Sequence, residues 1–184
     1  MHSLPALGEI TFDDSNESDY THALPALLGL SLTATFFVIT DRLDTPGSLS
    51  RPQLDLLHLA GMPIGTHGMT HRPWRGLARD GLLEAELVES CDALTEVIHR
   101  SISSAAFPQG DYDRRVLSTL RRLGFTRAYS VDEGSSRPSS WLHSRYTVVS
   151  SDTPDSVIAR IEKPDRSFVE SAARSGRRVM KGLR

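Results

Sequence analysis

The 184-residue sequence contains one cysteine, Cys91, which excludes an internal disulfide framework. It also lacks any run of about 20 apolar residues, the length that a membrane-spanning helix requires. Neither sign of charge dominates, since 21 basic and 23 acidic residues leave a net charge of -2, and nothing therefore favours a nucleic-acid partner. Segment 1–9 lacks the basic start and apolar stretch of a secretion signal. These absences predict a cytoplasmic protein without a membrane span.

The composition that is present is that of an ordinary globular chain. Apolar residues make up 39% of the sequence and charged residues 24%, and the length suits one domain covering 1–184. The C-terminal part, from about 165, is predicted to be a basic helix or tail. Between Arg174 and Arg184 it carries five basic residues and no acidic one. This end could attract phosphates or an anionic surface, although basic residues are also common at helix C-termini.

Short apolar segments alternate along the chain with segments of helical spacing. Such alternation predicts parallel strands with helices outside, as a doubly wound sheet or as a barrel. The predicted strands are 9–12, 34–39, 62–65, 104–107, 127–131 and 145–149. The predicted helices are 20–30, 51–61, 80–102 and 113–123, with two more starting near 155 and 168.

In both architectures the working residues follow the C-terminal ends of the strands. Chemically suitable residues occur there in the Asp13-Asp14 pair, the His67 to His71 segment and the Pro108-Gln109-Gly110 turn. Each signal is weak alone. Aspartates after a strand commonly cap turns, and a chain with seven histidines often contains an i, i+4 pair by chance.

Together these residues indicate a metal centre. The His67/His71 spacing would place both imidazoles on one side of a helical turn, and an aspartate would complete three ligands with positions open for water and substrate. A metal ion in such a site lowers the pKa of bound water and polarises an acyl oxygen. If the chain is extended at Asp13 and Asp14, their side chains face opposite ways, so that one binds metal while the other acts as general base.

The sequence resembles the polysaccharide deacetylase family, also known as the NodB-homology family and carbohydrate esterase family four. The family motif Thr-Phe-Asp-Asp-Gly corresponds to Thr11-Phe12-Asp13-Asp14-Ser15, and its His-(Ser/Thr)-x-x-His motif lies in Gly65-Thr66-His67-Gly68-Met69-Thr70-His71. Its third motif, Arg-x-Pro-(Tyr/Phe)-Gly, corresponds to Ala106-Phe107-Pro108-Gln109-Gly110. Order, spacing and strand context all agree over nearly the whole chain.

The resemblance implies a distorted (β/α) barrel of about six to seven parallel strands with outer helices. It also implies a hydrolase of carbohydrate metabolism that removes N-acetyl groups and so acts on non-peptide carbon–nitrogen bonds. By position, Asp13 is the expected base, and Asp14, His67 and His71 are the expected ligands of one divalent ion. Zinc is expected there, with cobalt, nickel or manganese as alternatives. The backbone N–H of Gln109 is expected to help hold the oxyanion.

The chain departs from the family pattern at three places. Ser15 replaces a glycine, which is tolerable if the backbone avoids positive φ. Ala106 replaces the arginine that orients the catalytic aspartate, so another group must do so. No Leu-x-His motif follows the last predicted strand, which leaves His143, placed in a flexible surface or substrate loop, as the candidate acid.

The first hypothesis is therefore a deacetylase acting on a small-molecule or oligosaccharide glycan precursor. A second is an amide hydrolase acting on a non-sugar molecule, because the same metal chemistry serves both. A third is a catalytically impaired carbohydrate-binding homologue, suggested by the missing arginine and histidine. The sequence leaves the exact substrate and the oligomeric state open.

Overall fold

A computed structural model describes residues 8–134 and 136–162 of the chain. The helix expected near 168 and the basic tail lie outside the described residues. The chain forms a single six-stranded sheet in which every neighbouring pair is parallel and the strands follow one another in sequence order. The strands are β1 (Ile10–Phe12), β2 (Ala34–Val38), β3 (Ile64–Thr66), β4 (Ser104–Ala106), β5 (Arg127–Ser130) and β6 (Leu142–Ser144).

The first four connections between the strands contain helices, as is usual between parallel strands, whereas the described residues between β5 and β6 form a loop without a helix. A π-helical turn (Asp19–Ala23) precedes α1, and 3₁₀ turns follow β2 (Thr40–Arg42) and β4 (Pro108–Gly110). The α-helices are α1 (Leu24–Gly29), α2 (Arg51–Leu59), α3 (Trp74–Arg79), α4 (Leu83–Ile98), α5 (Arg114–Arg122) and α6 (Pro154–Glu162). Among the described residues, no helix combines the length and the apolar character needed to cross a bilayer.

Local chemistry explains where two of these helices begin. Ser50 and Gln53 form a reciprocal capping box at the start of α2, where Pro52 occupies the first turn. The Asp113 side chain accepts hydrogen bonds from the N–H groups of Arg115 and Val116 and so caps α5. Both helices begin within one residue of their predicted positions.

The sheet is curled into a half-barrel. The rings of Phe37 on β2 and Tyr129 on β5 lie 4.9 Å apart, although two strands separate β2 from β5 in the sheet. Their contact shows that the inward faces of opposite strands meet. On the outer face, one apolar cluster packs β1 and β2 against α1, α2 and α4, and a second packs β4 and β5 against α3, α4 and α5. The expected distorted (β/α) barrel is confirmed.

Two sequence-based assignments were wrong. The helix predicted for 80–102 occupies only Leu83–Ile98, and a separate helix, α3, precedes it. Gly81 has φ +75°, which interrupts the helical backbone between α3 and α4. His99 ends α4 in the left-handed region at φ 53°. The last strand was predicted at 145–149 but is Leu142–Ser144, because the register with β5 pairs Tyr129 with His143.

Candidate metal centre

Asp14, His67 and His71 bring three potential ligand atoms within 4.8 Å of one another. Asp14 follows β1, and both histidines follow β3, so the three meet at the C-terminal edge of the sheet. The Asp14 Oδ1 atom lies 3.3 Å from His71 Nε2 and 3.7 Å from His67 Nε2. Ligand bonds of about 2.0–2.1 Å in a tetrahedral site give ligand separations of about 3.3 Å. The spacing therefore suits one shared cation.

The chemistry of these atoms also fits a metal. Asp14 Oδ1 is buried and has no hydrogen-bond partner among the described residues. The Nδ1 atom of His67 lies 2.9 Å from the Ala106 carbonyl oxygen, and a proton on Nδ1 leaves Nε2 free as a lone-pair donor. Burial lowers the pKa of His67. The imidazole is thereby kept in the neutral form that metals bind.

The segment that carries both histidines is an ordered loop and not the helical turn that the i, i+4 spacing suggested. Its backbone is held from α4 by Glu86, whose Oε1 accepts hydrogen bonds from the N–H groups of Met69 (2.9 Å) and Thr70 (2.8 Å). A Cβ on Gly68 would lie 2.9 Å from the same oxygen, and the backbone there has φ +83°, a conformation that favours glycine. His71 itself has φ 61°. The shape of the loop is therefore supported by contacts from α4.

The chain turns sharply after β1. Asp14 has φ 79° and Ser15 has φ 60°. The chain is therefore not extended at Asp14, and the expectation that the backbone at Ser15 avoids positive φ is wrong. A left-handed residue other than glycine costs about 1–2 kcal/mol. The Ser15 hydroxyl offsets this cost, because its Oγ accepts a hydrogen bond of 2.7 Å from the N–H of Ile39. Here the serine replaces the freedom of glycine with a specific contact.

Asp13 lies beside the cluster and is gripped by Arg145. Its Oδ1 and Oδ2 each accept a 2.7 Å hydrogen bond, from Nη1 and Nη2 of the guanidinium respectively. Asp13 Oδ2 lies 3.9 Å from His67 Nε2, near the ligand atoms. The guanidinium also donates to the Thr11 hydroxyl at 2.8 Å.

Sequence reasoning did not identify Arg145, because 132 positions separate it from Asp13 and no local spacing links the two. The guanidinium carbon lies 5.4 Å from the centre of the Phe37 ring and 5.9 Å from that of Tyr129. Stacking on two aromatic faces restricts the arginine to one orientation. One signal was available. Arg145 lies two positions beyond His143, on the same side of an extended chain, and thus reaches the rim of the barrel.

Gln109 lies on the 3₁₀ turn that follows β4. It is exposed at φ 56°, whereas the flanking residues Phe107, Pro108 and Gly110 are buried. A Cβ on Gly110 would lie 2.3 Å from Val131, which fixes the turn against the loop after β5. The hydrogen bond between His67 and Ala106 brings the end of β4, and with it this turn, next to the three candidate ligand residues.

His143 is not in the surface or substrate loop that the sequence suggested. It belongs to β6, is 8% exposed, and its ring stacks on Tyr129 at 5.0 Å. Its Nε2 is buried and has no hydrogen-bond partner in the described part of the chain. A strand rises about 3.3 Å per residue, so His143 lies about 6–7 Å deeper in the barrel than Arg145 if the chain stays extended between them.

Comparison with known proteins identifies the family. The sequence profile of the polysaccharide deacetylase family matches residues 7–128. The chain belongs to this family. A curated relative, YxkH of Bacillus subtilis, whose name assigns it to the polysaccharide deacetylases, is 22% identical over 139 residues, or 76% of this chain. The chain spans about half (50%) of the length of that relative.

Two solved structures share the fold. Streptococcus pyogenes deacetylase PplD, solved in complex with acetate, superposes with a TM-score of 0.78 at 25% identity, covering 87% of this chain and 73% of PplD. IcaB from Ammonifex degensii gives a TM-score of 0.73 at 25% identity, covering 87% of this chain and 75% of IcaB. Both superpositions support the fold assigned from the strand order.

Proposed function

We propose that this deacetylase domain is metal-dependent and removes N-acetyl groups from a sugar or glycan precursor. Asp14, His67 and His71 would hold one divalent ion, with zinc expected and cobalt, nickel or manganese as alternatives. One observation carries the proposal. A carboxylate that is not a member of the ligand cluster, Asp13, is fixed beside it by a bidentate arginine. A general base needs this placement, whereas a pure binding module would have no use for it.

The bound ion would supply Lewis-acid polarisation of the acyl oxygen and a lowered pKa of water. The other roles fall to the chain. Asp13 accepts the proton of the attacking water, and Arg145 keeps the Asp13 carboxylate oriented towards the reacting atoms. The backbone N–H of Gln109 stabilises the oxyanion of the tetrahedral intermediate. Asp13 then returns its proton to the departing amine, so that the acetyl group leaves as acetate.

The position of His143 favours this return of the proton over a separate histidine acid. Its ring lies below Arg145 and packs on Tyr129 inside the barrel, where the shape of the interior depends on it. We therefore assign His143 a packing role, in which its ring supports the ring of Tyr129.

Arg145 also counts against the impaired homologue. That alternative depended on the missing histidine motif and on the alanine at position 106, where the family has an arginine that orients the aspartate. In this chain a guanidinium from the far side of the barrel contacts both carboxylate oxygens of Asp13 at 2.7 Å. The complex of PplD with acetate, the product of deacetylation, supports the same chemistry for the fold.

The test separates ligand from base. We expect about one divalent ion per purified chain, lost in His71→Ala and retained in the control His58→Ala, which alters a histidine on α2 away from the cluster. Asp13→Asn should retain the ion and lose at least about 100-fold in the release of acetate from N-acetylated sugars. Asp14→Asn should lose metal affinity.

Two results would overturn the proposal. One is full metal occupancy in His71→Ala. The other is the absence of acetate release from any N-acetylated sugar by the metal-loaded protein, which would revive the impaired homologue.

A further inference from the structure

A polar groove of about 380 Å³ lies between α3 and α5. It adjoins both loops of the site along the chain, since Arg75 follows His71 by four residues and Asp111 follows Gln109 by two. Arg75 joins these loops, because its backbone N–H lies 3.3 Å from Asp111 Oδ2 and its Nη1 lies 3.4 Å from Oδ1. The groove is lined by Arg75, Gly76, Arg79, Asp111, Asp113 and Arg115.

The arginines in this lining outnumber the acids, three to two. Arg75 and Arg79 lie one helical turn apart on α3, a spacing at which like charges repel. Both acids are already engaged, Asp111 by Arg75 and the buried Asp113 by the backbone N–H groups that it caps. The lining side chains thus carry one net positive charge, in a chain of net charge -2.

Arg115 supplies an open donor group. It is exposed, and no carboxylate of the described residues lies within 4.0 Å of its guanidinium. Within the described residues, the one ion pair of Arg79 is with its chain neighbour Asp80, at 3.2 Å between exposed side chains, a type of pair that contributes little. A guanidinium presents two parallel N–H groups that match the oxygens of a phosphate or a carboxylate.

We infer that this groove binds an anionic group on the acylated sugar, so that the preferred substrate class is a glycan carrying phosphate or carboxylate. The inference rests on the proposed deacetylase function, because it places the anion next to the two loops that would bind and hydrolyse the acetyl group. Arg115 and Arg79 are the ligands of the anion, and Arg75 shapes the groove through Asp111.

The first test uses inorganic phosphate as the probe. Titration calorimetry on the full chain should show phosphate binding that Arg115→Ala weakens about fivefold to tenfold, the loss expected for one charge-assisted contact that is partly screened by solvent. Arg114→Ala is the matched control, because it removes the same charge from the preceding position of α5, outside the groove. Equal affinities in the two variants would overturn the inference.

The second test compares three acylated sugars, namely N-acetylglucosamine, its phosphate ester and the carboxylate-bearing N-acetylmuramic acid. We expect kcat/KM to be at least about fivefold higher for one of the two anionic sugars than for the neutral one. Arg115→Ala should remove the preference and Arg114→Ala should keep it. The better of the two anionic sugars then identifies the anion.

The outcomes separate this inference from the function on which it rests. Turnover without preference for an anion would overturn the groove assignment and leave the deacetylase function intact. Phosphate binding through Arg115, with no turnover of any acylated sugar, would uphold the anion site and overturn the deacetylase function.

Discussion

Arg145→Ala is the substitution that most directly tests how the base is positioned. The guanidinium makes two 2.7 Å contacts with Asp13, and the side chains are only 12% and 26% exposed. Removing it leaves the Asp13 carboxylate free to rotate and partly buried without a cation. Because Arg145 touches no member of the ligand cluster, metal content should not change.

The magnitude follows from these contacts. Hydrogen bonds to charged groups contribute about 1.5–3 kcal/mol each, and partial exposure reduces the sum of the two. We expect a net loss of about 2–3 kcal/mol in transition-state stabilisation, which corresponds to about 30- to 150-fold in rate. Arg145→Lys keeps the charge but not the planar fork, so its rate should lie between the wild type and Arg145→Ala.

The measurement is steady-state release of acetate, with metal analysis and thermal unfolding on the same samples. The loss should appear in kcat with little change in KM, since a misplaced base does not alter substrate binding. Arg122→Ala is the matched control, because it breaks a bidentate contact with Glu84 that is fully exposed on the outer helices and should leave kcat unchanged. If Arg145→Ala retained kcat within threefold of wild type at full metal content, the positioning role would be refuted.

Three further substitutions test neighbouring parts of the site. His143→Ala should lower kcat less than tenfold, since we assign proton return to Asp13; a loss of about 100-fold at unchanged metal content would make the histidine an acid. Burial raises the pKa of Asp19 to about 7, so the folded chain holds an extra proton between about pH 3.8 and 7, and the free energy of unfolding should fall as pH rises through that window. Urea titrations should show Asp19→Asn flattening that fall, and an unchanged slope would contradict the assignment. Glu86→Gln should weaken metal affinity about tenfold by loosening the loop that carries both histidines. An unchanged affinity in a metal titration would show that the loop keeps its shape without Glu86.

The sequence predicted the alternation of strands and helices because parallel strands buried on both faces form apolar runs that are easy to recognise. It also predicted that Asp14, His67 and His71 would converge, because the ends of parallel strands meet at one edge. Boundaries were less predictable. The strand assigned to 145–149 lies three residues earlier, and Val148 and Val149, whose β-branched character suggested it, are exposed. Residue type favoured a strand there, but pairing with β5 decided its position.

What the sequence could not predict was contact across the barrel. The link between Arg145 and Asp13 depends on the curl of the sheet, which no local pattern encodes. The left-handed backbone at Ser15 was missed for a similar reason, since the compensating hydrogen bond comes from Ile39, 24 residues away. In both cases a missing motif residue was replaced by a group that only the folded chain brings near.

The two edge strands of the half-barrel face each other without a hydrogen-bonded ladder, since β1 and β6 end the strand order. In the described residues, the side-chain bridges across this seam are Glu9 with Tyr129 and Arg127 at the lower end, and Arg145 with Thr11 and Asp13 at the rim. The contact that would orient Asp13 as the proposed base is thus also the side-chain link between the two edge strands at the rim. If the two edge strands moved apart, Asp13 would lose its contact with Arg145 while the helices and the outer apolar clusters remained packed. On heating, the proposed acetate release should therefore be lost at a lower temperature than the one at which the fold unfolds.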